Sequence, residues 1–125
     1  VFIDIHILDD GGNIMDASAI GAIAALMTTT VPANKFGLGD DYSLPIADVP
    51  IATTAIEFGG VIMFDPDVDE EAIAETKFTV ITKADLSICG MQKSGAGVLT
   101  EEEIYRIVDI AVENGKAIRE KFLEV

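Results

Sequence analysis

Only one cysteine, Cys89, occurs in the 125 residues, so no internal disulfide and no cysteine-based zinc site can form. That scarcity fits a reducing compartment, and a cytoplasmic location is expected. Tryptophan is absent and there is a single histidine, His6. Long hydrophobic runs are missing too: the longest uncharged apolar stretch, ASAIGAIAALM, is too short to cross a bilayer and is rich in small residues, as a buried helix would be. The first residues do not have the pattern of a secretory signal. Val1 falls inside an expected strand, so the chain reads as a fragment or processed piece.

Positive charge is the scarcest commodity. Eight Lys and Arg face 22 Asp and Glu, a formal net charge of −14. Residues 1–76 hold fourteen acids against Lys35 alone, whereas residues 77–125 hold eight acids against seven basic residues. Non-specific nucleic-acid binding depends on Lys and Arg replacing condensed counterions, which the first part cannot supply. Any RNA contact must be local or borrowed from a basic partner. Half of the residues are nevertheless apolar and the mean hydropathy is +0.40, which excludes the disordered class and leaves one compact domain, residues 1–125.

What is present alternates between strand and helix periods. In VFIDIHIL, Val1, Ile3, Ile5 and Ile7 share one face, the period of a half-buried strand. DDGGN turns the chain, and Asp16 or Ser18 is placed to cap a helix from Ala17 to about Met27. Residues 28–50 read as a long connection. IATTAIEF and VIMF flank Gly59-Gly60 as a hairpin, and TKFTVIT and LSICGMQ flank KAD as a second. Thr100 and Glu103 form a capping box that opens a helix with Ile104, Val108, Ala111, Ile118 and Phe122 at helical spacing. The expected fold is α/β, in the order β-α-β-β-β-β-α, with a mixed sheet packed against helices.

The segment DPDVDEEAIAETKF, residues 65–78, places six carboxylates before Lys77. Asp65, Asp67 and Asp69 have the spacing that opens an EF-hand calcium loop, but Glu70 stands where that loop needs glycine and Thr76 where it needs a bidentate glutamate. A solvated acidic turn is the plain expectation, and an acidic module binding divalent cations is the rival. His6 shares a strand face with Asp4, a pairing that can orient a general base, yet no nucleophile is nearby in sequence and a structural histidine is favoured. GMQKSGAG has glycines around Lys93 and Ser94 but lacks the order of a P-loop, so it reads as a strand-to-helix connection. Lys116, Arg119 and Lys121 suit the negative end of the last helix.

Three stretches in this order, DIHILDDGGNIMDASAIGAIAAL, DEEAIAETKF and GMQKSGAGVLTEEEI, resemble the later half of the RNase PH family of phosphate-dependent 3′-to-5′ exoribonucleases. The wording is most similar to a non-catalytic RNase PH-like ring subunit of the archaeal exosome. The resemblance implies that residues 1–30 end a first subdomain and residues 48–125 form a second. In active members the segment matching EEAIAETK carries two aspartates, six residues apart, that bind a divalent cation at the reaction centre. Those positions are Glu71 and Lys77 here, and the second has reversed its charge. The turn matching GGNIMDAS holds inorganic phosphate in active relatives, whereas Asn13 and Ile14 supply no positive charge.

The resemblance therefore implies no catalytic, phosphate-binding or metal site of the chain's own, and no cofactor. It implies alternation with an active RNase PH-type subunit in a hexameric ring, RNA-binding cap subunits above it, and indirect contact with RNA. Lys93 and Ser94 are candidates for contact with RNA or a neighbouring subunit. An active phosphorolytic exoribonuclease, with nearby carboxylates rebuilding the cation site around Lys77, remains the enzymatic alternative.

Overall fold

The computed structural model describes residues 1–123. Helix α1 spans Ile14–Met27, followed by the short strands β1 (Thr30–Val31) and β2 (Tyr42–Ser43), with a 3₁₀ turn at Asn34–Phe36 between them. Next come β3 (Ile51–Phe58), β4 (Val61–Phe64), α2 (Val68–Ile73), β5 (Thr76–Thr82), β6 (Ile88–Ser94) and α3 (Glu101–Ile118), which ends in a π turn over Arg119–Leu123.

Four strands form an antiparallel sheet in the order β4-β3-β5-β6. The two centre strands carry the β-branched and apolar residues, with Ile51, Thr54, Val80 and Thr82 fully buried. One core cluster joins Ala55, Phe78 and Val80 of the sheet to Ile107 and Ala111 of α3. A second joins Ile51 and Val49 to Ile23 of α1. Burial of these faces, rather than intrinsic propensity, holds the helices on the sheet. The Gly59-Gly60 hairpin forms as expected, both glycines having positive φ (58° and 83°), as a two-residue turn requires. The capping box of α3 also forms, with the Glu103 amide donating to Thr100 Oγ1 and the Thr100 amide to Glu103 Oε2.

Three expectations are corrected. Residues 1–8 form no strand, because a strand needs a neighbouring ladder and none pairs with this segment among the described residues. Its alternation survives in the burial: Ile3, Ile5 and Ile7 are about half as exposed as Phe2 and Leu8 and line an apolar groove against α1. Helix α1 begins three residues earlier than the capping signal suggested. Asn13 precedes it in the left-handed conformation (φ 47°), and no side chain caps it, because Asp16 is engaged elsewhere. Finally, the acidic segment is not simply a turn. Asp67 accepts from the Glu70 amide and Glu70 from the Asp67 amide, a capping box that winds residues 68–73 into α2.

Candidate functional site

The turn before α1 and the chain entering α2 are pressed together. A Cβ built on Gly12 (φ 98°) would lie 2.5 Å from the Pro66 carbonyl oxygen, so only glycine fits this contact. Asn13 follows it, buried, and its Nδ2 donates to Asp65 Oδ1 at 2.8 Å and to Asp16 Oδ2 at 3.0 Å. Asp16 in turn accepts from the Thr54 amide and from Thr54 Oγ1, both at 2.7 Å, and Thr54 Oγ1 lies 2.8 Å from Thr79 Oγ1. This buried chain of polar groups ties α1 to the centre of the sheet. The side chain of Asn13 thus donates to carboxylates, and Ile14, half-buried, brings no charge.

Glu71 lies on α2 and Lys77 is the second residue of β5. Lys77 Nζ donates to Glu71 Oε1 at 2.6 Å, with both side chains roughly one-third exposed. The ammonium thus occupies an oxygen that a cation bridging two carboxylates would need. A divalent ion does not fit this pair, since one of the two side chains is itself cationic. Asp65, Asp67 and Asp69 do not converge either: the first binds Asn13, the second caps α2 and the third lies in its first turn. Among the described residues, no group of three or more His, Cys, Asp or Glu could hold a metal ion.

Ser94 pairs with Lys77 across the β5–β6 ladder, whereas Lys93 pairs with Phe78. Successive strand residues face opposite ways, so Ser94 shares a face with Lys77 and Lys93 does not. Lys93 Nζ donates to the Gly95 carbonyl, and the side chain stays exposed. Gly95 and Gly97 pack closely against Glu75, and the Gly97 amide donates to the Glu75 carbonyl, so the loop before α3 is strapped to the approach to β5. Asp4 and His6 are exposed in the irregular first segment.

Two features were not anticipated from sequence. Arg119 is only 2% exposed; its Nη1 donates to the carbonyls of Thr82 and Val49, clamping the end of α3 to the sheet instead of merely sitting near a helix dipole. Asp48 pairs with Lys83 at 3.1 Å. The Ala84 amide, then Lys83, hold the Asp48 carboxyl below the usual range, and Asp48 in return raises Lys83. Ser87, through its hydroxyl and amide, similarly lowers Asp85. Only long-range pairing reveals Arg119, while the Asp48 contact depends on a loop whose course the sequence does not dictate.

The four-stranded antiparallel sheet with α2 and α3 packed against it is a fold of the RNase PH-like class. Residues 48–114 match the 3′ exoribonuclease family, domain 2. The chain belongs to that family. It is 54% identical over 121 residues to the exosome complex component Rrp42 of Methanocella arvoryzae, covering 97% of this chain and 46% of that protein. It is 44% identical over 125 residues to the Rrp42 of Archaeoglobus fulgidus, covering all of this chain and 48% of that protein. Among solved structures it is similar to a chain of the Archaeoglobus fulgidus exosome with RNA bound to the active site, with TM-score 0.87 and 43% identity, over 92% of this chain and 45% of that one. An archaeal exosome core chain matches with TM-score 0.88 and 42% identity, over 93% of this chain and 47% of that one. The chain spans about half the length of these relatives. No helix among the described residues is long and apolar enough to cross a membrane.

Proposed function

We propose that this chain is part of a non-catalytic subunit of the archaeal exosome ring, supporting 3′-to-5′ RNA degradation by an active RNase PH-type partner. The observation that carries this reading is the Lys77–Glu71 ion pair. In phosphoryl transfer a metal held by carboxylates offsets charge on the phosphodiester and the leaving oxygen. Lys77 cancels the one carboxylate retained at that position. Asn13 and Ile14 likewise offer phosphate no cation, and Asp16 and Asp65 beside them repel it. The chain's role is then structural: residues 1–30 complete a first subdomain, residues 48–125 supply the second, and the assembled ring positions the partner's site.

A net charge of −14 favours a more basic neighbour and disfavours direct contact with the RNA backbone. Lys93 and Ser94 lie at the end of an exposed edge strand and are the residues proposed to meet RNA or the adjacent subunit. RNA-binding cap subunits complete the assembly, in the cytoplasm. Copurification of the full-length protein with the active partner, followed by an RNA decay assay with phosphate and magnesium, tests the reading. Stable association with decay confined to the partner's site is expected. A subunit that stays monomeric beside that partner contradicts it.

A further inference from the structure

We propose that β6 is where this subunit joins its ring neighbour: an extended segment of the adjacent chain adds to the free edge of β6 and continues the four-stranded sheet across the boundary. Resting on the ring reading above, this assigns the surface and the backbone chemistry of the contact. Among the described residues β6 is bonded only to β5, so its outer row of amides and carbonyls is unpaired. Six of its seven residues are exposed. The opposite edge differs, since β4 tucks Ile62 and Phe64 against the core. Helix α3 packs on β3 and β5, and α1 on β3, which leaves β6 exposed on both faces. Met91 stands opposite Val80 and, across a bulge at Cys89, Ile88 stands opposite Thr82. Cross-strand partners share a face, so Ile88 (40% exposed) and Met91 (57%) extend the α3-facing surface beyond the helix.

The chemistry of the edge selects its occupant. A row of free backbone donors and acceptors is matched by another extended backbone, and exposed edges of this kind template strand addition. Natural edges are guarded by prolines, charges or bulges. Here the bulge lies at the first end, proline is absent from the strand, and Lys93 turns its Nζ onto the Gly95 carbonyl, so residues 90–92 are unguarded. Charge points the same way. Residues 86–100 contain no Asp or Glu and Lys93 is their only charged group, whereas the chain as a whole carries −14. A seam without carboxylates lets a different chain approach unopposed, but a second copy would bring a further −14. RNA would gain a single cation here, and its binding needs several.

The test compares amide exchange across β6 and maleimide labelling of the exposed Cys89, located by peptide mass, in the full-length protein alone and with the active RNase PH-type partner. Fast exchange at the outward amides and fast labelling are expected for the protein alone, each slowed about tenfold or more in the complex. Ile88→Glu combined with Met91→Glu sets two carboxylates in the seam against one ammonium and should weaken association at least about tenfold. Leu38→Glu, at a site 80% exposed in the loop between β1 and β2, should leave association unchanged. A complex that forms while β6 exchanges and labels as before overturns this proposal and leaves the ring reading standing. Failure to associate at all overturns both. Protection of β6 in the isolated protein also overturns it, assigning the edge to the protein's own chain, or to a second copy if protection grows with concentration. Protection by single-stranded RNA without the partner assigns the edge to RNA and overturns it too. Equal weakening by Leu38→Glu, which is general charge repulsion, has the same consequence.

Discussion

Lys77 and Glu71 meet at 2.6 Å across the junction of α2 and β5, so the strand residue that follows the acidic segment neutralises one of its carboxylates. Partly exposed pairs of this kind contribute about 0.2–1 kcal/mol, screened by salt. The consequence is mainly electrostatic. Lys77→Asp replaces attraction by two carboxylates six residues apart in sequence and close in space. The full-length variant should melt at a lower temperature without divalent ions and recover with magnesium, whereas wild type should show no magnesium-dependent shift. Melting curves with and without magnesium check this.

Asp16 satisfies two groups of Thr54 and one of Asn13 inside the protein. Asp16→Ala strands these donors in a buried site, and each orphaned group costs about 1–3 kcal/mol. We expect the denaturant midpoint to fall well below wild type with little change in m-value. Thr79→Val, which removes only the outer hydroxyl of the chain, should cost less.

Gly12→Ala combines a strained backbone, φ 98°, with an overlap against Pro66 and Asp67. A loss of about 1–3 kcal/mol is expected from the strain alone. Gly21→Ala is the control, since a Cβ there meets nothing within 4 Å. Urea unfolding of both variants should separate them, with Gly21→Ala at or above wild-type stability.

Acid should loosen the loop between β5 and β6. Asp48 is held below its ordinary carboxyl value of 3.8 in the folded state. A group lowered on folding contributes stability that is present above the unfolded value and is lost as pH falls through the folded one. Wild type should therefore lose local protection of the Ala84 amide below about pH 4, the ordinary carboxyl range. Asp48→Asn should show weaker protection at neutral pH and a flatter pH dependence. Hydrogen exchange at Ala84, whose amide donates to Asp48, reads both.

Much of the second half was legible in the sequence because its signals are local. The Gly59-Gly60 turn and the Thr100–Glu103 box each act within a few residues, and the apolar and β-branched runs of β3 and β5 lie between turn signals, as strands buried in a sheet centre do. Residues 1–8 have the alternation of a strand without a ladder, and period alone cannot supply a partner. Asp16 looked like a helix cap because capping and core hydrogen bonding use the same side chains; its partner Thr54 lies 38 residues away. The Asn13–Asp65 contact depends on the Gly12–Pro66 approach and could not be read from either segment alone.

The most direct test of the central claim is phosphorolysis by the full-length protein in isolation, measured as shortening of single-stranded RNA with phosphate and magnesium. We predict no shortening alone and full activity once the RNase PH-type partner is added, unchanged when Glu71 is replaced by Gln. Shortening by the isolated protein, abolished by Glu71→Gln, would contradict the account.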